Sequence, residues 1–101
     1  MNIYTPDRWV LVELTHKGEK IRKVFSGNYG GYLSGDTWKI SSETIKTLDK
    51  GDYFEFHQHS GSIYHCYKSN YGLSMYMQTV LNRYISQNTL ETYITLLEKK
   101  L

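Results

Sequence analysis

Residues 53–67, YFEFHQHSGSIYHCY, hold three of the four histidines and the single cysteine of the chain around a central Ser60-Gly61-Ser62. Strict alternation puts Phe54 and Phe56 on one side of the first arm and Tyr53, Glu55, His57 and His59 on the other. In the second arm Tyr64 and Cys66 oppose Ile63, His65 and Tyr67. A two-residue turn at Ser60-Gly61 pairs Phe56 with His65 and mixes the faces. A three-residue loop shifts the parity, with Gly61 free to take positive φ, and sets Phe54, Phe56, Tyr64 and Cys66 on one apolar face. That register is the expected one, and it makes the stretch an antiparallel hairpin with His57, His59 and His65 together near Glu55.

Upstream, residues 8–15 (RWVLVELT) alternate in the same way, with Trp9 and Leu11 on one face and Val10, Val12 and Leu14 on the other. HKGEK at 16–20 supplies a turn, and IRKVFS at 21–26 the return strand. TWKISS at 37–42 reads as a third strand with Trp38 and Ile40 on a shared face. Residues 42–52 are ambiguous: Ser42, Ile45 and Leu48 have the spacing of one helical turn, and Asp49-Lys50-Gly51 then reverses the chain.

The tail has a different period. Leu73, Met77, Val80, Leu81, Tyr84 and Ile85 fall three and four apart, and Leu90, Ile94, Leu97 and Leu101 continue the pattern. Ser74 is placed to cap a first helix, and Asn88 with Glu91 to form a capping box for a second. The expected class is α+β: an antiparallel sheet of about five strands followed by one or two C-terminal helices packed on one face. The 101 residues read as a single domain, β-rich over 1–69 and helical over 73–101.

Composition narrows the function. Twelve Lys and Arg against ten Asp and Glu leave +2, too little to draw the chain to duplex DNA by charge. A lone Cys66 excludes an internal disulfide and a multi-cysteine zinc site, and fits a reducing compartment. No leader and no membrane-length apolar run is present, so a cytoplasmic location is expected. Ten tyrosines favour recognition surfaces, since tyrosine brings a large flat contact with few rotatable bonds.

Three places carry candidate chemistry. GNYGGYLSGD, residues 27–36, joins four glycines to two tyrosines, which suits close approach of another molecule; it reads equally as a wide turn between strands. The histidine hairpin offers a His-x-His pair with a third histidine on the neighbouring strand, an arrangement zinc accepts, though outward histidines on a sheet are more often simply solvated or partner-facing, which is the preferred reading. Cys66 has no base on its own face, because His65 points the other way, and is expected to be a buried structural thiol. No phosphate loop, dinucleotide fingerprint or catalytic signature occurs.

The pair GDTWKISS (35–42) and SGSIYHCY (60–67) resembles small accessory proteins of tailed bacteriophages, with a tryptophan-bearing strand followed by a hairpin closed by Ser-Gly-Ser-x-Tyr. The resemblance spans roughly residues 35 to 67. It implies expression in a bacterial host and work done by binding.

The leading expectation is therefore a non-enzymatic, phage-type protein that inhibits a host protein, a defence or transcription factor. Its contact would be built from Tyr29, Gly30, Gly31, Tyr32, Trp38, His57, His59 and His65, with no cofactor and no metal. The alternative is a homo-oligomer that sequesters a nucleotide signal, with Arg8, Arg22, Lys23 or Arg83 for phosphate. The third is a metal-dependent hydrolase using His57, His59 and His65. Single-stranded nucleic acid ranks fourth, for want of a clustered basic stripe.

Overall fold

The structure, a computed structural model, describes residues 2–31 and 35–97. Two strands open the chain, β1 (Ile3–Tyr4) and β2 (Arg8–His16), followed by β3 (Glu19–Asn28), β4 (Thr37–Asp49), β5 (Tyr53–Gln58) and β6 (Ile63–Tyr67). A short 3-10 turn at Lys68–Asn70 leads to helix α1 (Met75–Ser86) and a last strand, β7 (Thr92–Leu96). The sheet has seven strands in the order β1-β6-β5-β4-β3-β2-β7, antiparallel throughout except for β1 beside β6. It is larger than expected, and mixed.

The two hairpins form for the reasons their sequences give. Lys17 and Gly18 both take positive φ, 49° and 84°, the pairing a two-residue turn needs to match the twist of β2 and β3. Between β5 and β6 the loop has three residues: Gln58 N donates to Ser62 O, and Gly61 takes φ 94°. The register sets Phe54 opposite Cys66 and Phe56 opposite Tyr64, the parity that gathers the apolar side chains.

Strand β4 runs through the segment that also had helical spacing, to Asp49. Thr44, Ile45 and Thr47 are β-branched and prefer extended backbone, and β4 meets β3 with its first half and β5 with its second. Register shifts between Lys23/Phe25 and Thr44/Lys46 bend it, which folds the sheet back over itself. Closure comes from the N-terminus: β1 pairs with β6, and Trp9 bridges Tyr71 in the same parallel sense. The result is a partly closed barrel with β7 paired antiparallel on the free edge of β2.

Two cores follow. Inside the barrel, Trp9, Leu11 and Val24 pack against Phe56, Tyr64 and Cys66. Val10, Val12 and Phe25 project from the opposite face of the same hairpin and pack under Met77, Val80 and Leu81 of α1, joined by Ile94. Ser74 caps the helix as its sequence indicates, its Oγ accepting from Met77 N at 3.1 Å.

Among the described residues no second C-terminal helix forms, so there the helical reading of 73–101 holds only for α1. Thr92-Tyr93-Ile94-Thr95 is β-branched and aromatic, and pairing with β2 outweighs the three-and-four spacing. Asn88 heads no capping box. Its side-chain amide pairs with the backbone of Ile94 instead, Oδ1 accepting from Ile94 N at 3.0 Å and Nδ2 donating to Ile94 O at 3.3 Å. Leu101 lies outside the described residues.

Candidate functional site

The outer face of β5 and β6 is built from the alternate residues that the barrel core does not use. Tyr53 stands beside Tyr67 and His65, its ring 5.1 Å and 4.9 Å from theirs between centroids. Glu55 lies between two histidines: Oε1 accepts from His57 Nε2 at 2.7 Å, and Oε2 is 3.5 Å from His65 Nε2. Its side chain is 17% exposed. The hydrogen bond from His57 holds its carboxyl below the usual range against a smaller desolvation effect, with the charges of Lys50, His57 and His65 adding to the lowering. The face is a short ladder of rings beside a fixed carboxylate.

The third histidine does not join it. His59 is the first residue of the loop, with its backbone N donating to Glu43 O at 2.7 Å, so the His57, His59, His65 cluster does not assemble. Among the described residues no group of three His, Cys, Asp or Glu side chains is arranged to hold a metal ion. Cys66 points into the barrel, where burial pushes its thiol far up from the ordinary value and keeps it protonated.

The Gly-Tyr loop lies elsewhere, at the end of the barrel where β3 hands over to β4. Tyr29 is exposed, and its backbone N donates to Asp7 Oδ2 at 2.8 Å, while Asp7 N donates to Asn28 Oδ1 at 3.0 Å. Gly30 N donates to Asp36 Oδ1 at 3.4 Å, and Gly35 N to Gly31 O at 3.3 Å. A Cβ on Gly30 would overlap the Gly35 carbonyl, so the glycine permits a close crossing of two backbones. Tyr32 lies outside the described residues.

Trp38 faces α1, between Phe25 and Tyr84 at 6.1 Å and 6.0 Å, and remains 37% exposed. The residues singled out from sequence therefore do not form one surface: Tyr29, Gly30 and Gly31 lie in the loop, Trp38 packs toward α1, His57 and His65 flank Glu55, and His59 opens the β5–β6 loop. The proposed phosphate partners disperse as well. Arg8 Nη2 donates to Tyr71 O at 3.3 Å, Arg22 lines one cavity, and Lys23 and Arg83 line two neighbouring cavities that share Tyr84 and Gln87.

Two concavities were not apparent from sequence. One, of about 400 Å³, lies beyond the end of α1 against Val12, Leu14, Ile40 and Ile94, flanked by Tyr84 and Tyr93. The other is the mouth of the barrel, about 330 Å³, where Tyr4, Ser26, Lys39 and Tyr64 meet. The available signal was the alternation around Trp38 and Ile40, which obliges Lys39 to face the other way. Comparison with protein-family models, with curated proteins and with solved structures returned no match.

Among the described residues no helix is long and apolar enough to cross a membrane.

Proposed function

We propose that this chain is a non-enzymatic binding protein that captures a protein partner on the outer face of β5 and β6. The observation that carries the reading is the ladder of Tyr53, His65 and Tyr67 beside Glu55. Aromatic rings already packed against one another lose little conformational freedom on binding, and a carboxylate hydrogen-bonded by one histidine and flanked by a second offers a fixed acceptor at their edge. Such anchors, ringed by polar groups, are what an interface hot spot is made of. The resemblance to phage accessory proteins makes the partner a bacterial host protein, a defence or transcription factor, and the outcome its inhibition.

The test is native mass spectrometry of untagged protein purified from bacterial cells, comparing the wild type with a Tyr53→Ala/Tyr67→Ala double variant. A defined protein partner is expected on the wild type and at least ten-fold depleted on the variant, with far-ultraviolet dichroism and melting temperature unchanged. Retention of the partner by the double variant, with its loss from Tyr29→Ala, overturns the assignment in favour of the Gly-Tyr loop.

A further inference from the structure

Along the barrel axis the inward side chains change from apolar to polar. On β3 the inward series runs Val24, Ser26, Asn28, and β4 sets Lys39 opposite Ser26 and Thr37 opposite Asn28. Across the opening, Tyr4 of β1 and Tyr64 of β6 are register partners with ring centroids 5.0 Å apart. Lys39 spans the two walls, with Nζ 3.8 Å from the centroid of the Tyr4 ring. A second lobe of about 230 Å³ shares Tyr4, Lys39 and Tyr64 and is closed by Ser41, Ser60 and Ser62. Among the described residues neither lobe is lined by a carboxylate.

The wall is fixed before any ligand arrives. Ser41 Oγ accepts from Val24 N at 2.8 Å and lies 3.0 Å from Gln58 Oε1, which also accepts from Thr44 Oγ1 at 2.8 Å. The acidic residues nearest the rim are engaged by loop backbone, Asp7 with Tyr29 N and Asp36 with Gly30 N. Lys39 makes no ion pair among the described residues. One cation thus stands among neutral hydroxyl and amide groups in a barrel mouth, a common location for small-molecule sites.

We propose that this mouth binds a small organic phosphate monoester, with Lys39 as its cation and the Ser60 and Ser62 hydroxyls and the Tyr64 phenol as neutral donors. A phosphate monoester presents three terminal oxygens, which suits one ammonium together with several neutral donors; a carboxylate presents two. The phosphate sits at Lys39, where the lobes meet, and the rest of the molecule extends along one of them. Tyr64 remains a neutral donor there, because burial chiefly pushes its phenol up to about 12. This site goes beyond the protein-binding face, since its residues point inward from the barrel wall.

The test is a titration followed by amide chemical shifts in a 15N-labelled sample, using AMP, ribose 5-phosphate and adenosine as probes. Saturable shifts are expected at residues 26, 28, 37–42 and 60–64 with a phosphate monoester and not with adenosine. Response to AMP alone marks a nucleotide site, and response to both phosphates a sugar-phosphate site. Lys39→Met should raise the Kd at least ten-fold with a dispersed, native-like spectrum, while Lys46→Met, which removes a cation lining a different cavity, should leave it unchanged. Absence of saturable shifts with both phosphates, equal response to adenosine, or equal effects of the two lysine variants overturns the proposal.

Discussion

The β2–β3 hairpin is covered on both faces, and the two covers differ. Inside, the sheet closes on itself and the contacts are aromatic: Trp9 meets Phe54, Phe56 and Tyr71 edge-on at 6.2, 5.5 and 5.1 Å, and its Nε1 donates to Tyr67 O at 2.6 Å. Outside, a single helix supplies Met77, Val80 and Leu81. Twelve residues of helix extend about 18 Å at 1.5 Å per residue. Ten residues of β3 extend about 33 Å at 3.3 Å per residue. The helix is too short for the surface beneath it, and the shortfall is the groove beside Val12, Leu14 and Ile40. A sheet that curls can cover itself fully; a short helix cannot.

The largest expected effect lies on the enclosed face. Trp9→Ala removes a fully buried side chain that touches three rings and satisfies a carbonyl, and should cost about 3–5 kcal/mol in urea unfolding. Met77→Ala removes an equally buried side chain from the helical cover, where the helix can settle toward the sheet, and should cost about 2–3 kcal/mol, the low end for such truncations. Equal losses would show that the two covers pack alike and would break the contrast.

Gly27→Ala probes the same helix contact from below. The added Cβ would approach Met77 Sδ to 2.6 Å and Thr37 O to 3.3 Å. The first neighbour is the flexible end of a side chain and can move, so the cost should be about 1–2 kcal/mol, in the range of mild overpacking. Combined with Met77→Ala the clash disappears, and a double-mutant cycle should show the two costs to be less than additive.

A smaller effect is expected at the edge of the sheet. The register of β7 on β2 leaves the backbone groups of Thr92, Ile94 and Leu96 pointing away from the sheet. Asn88 occupies both groups of Ile94, and Thr89 those of Thr92, with Thr92 N donating to Thr89 Oγ1 at 3.0 Å and Thr89 N donating to Thr92 O at 2.8 Å. The amide side chain acts as a fragment of an eighth strand, which protects the edge from pairing with another copy. Asn88→Ala should cost about 1 kcal/mol and introduce concentration-dependent self-association in analytical ultracentrifugation. A variant that is destabilised yet monomeric at all concentrations would leave Asn88 a fold contact only.

What could be read from sequence divides along the same physical line. The Lys17-Gly18 turn, the three-residue loop before Ser62 and the Ser74 cap are each settled by residues adjacent in the chain, and all three were legible. The last segment was not, because Thr92-Tyr93-Ile94-Thr95 satisfies a helical spacing and a strand composition at once, and only the distant β2 decides between them. β1 is two residues long and carries no periodicity at all. Without β1 beside β6 there is no barrel mouth, so Lys39 facing Tyr4 could not be anticipated from either strand alone. Alternation puts His57 and His65 on the outer face, where they flank Glu55, but the loop that fixes the register takes His59 out of it.

The solvent-facing side of β5 supplies the last and smallest test, since its inward neighbours Phe54 and Phe56 belong to the enclosed core. Glu55 has its pKa lowered in the folded protein, chiefly by the hydrogen bond from His57. Its carboxylate therefore contributes stability that is fully present above the ordinary glutamate value of 4.5 and is lost as pH falls through the lower folded value. Asp49 behaves in the same sense, held down first by Lys68 and then by the backbone N–H of Gly51. Urea midpoints recorded from pH 7 to pH 3 should fall in the acid range for the wild type, and Glu55→Gln should flatten only part of that slope, leaving the Asp49 share. Below the folded pKa of Glu55, where that carboxylate is protonated, the variant and the wild type should converge. If Glu55→Gln leaves the whole acid slope in place, the carboxylate between the two histidines adds nothing to folding, and the outer face of β5 and β6 is free to be shaped by a partner alone.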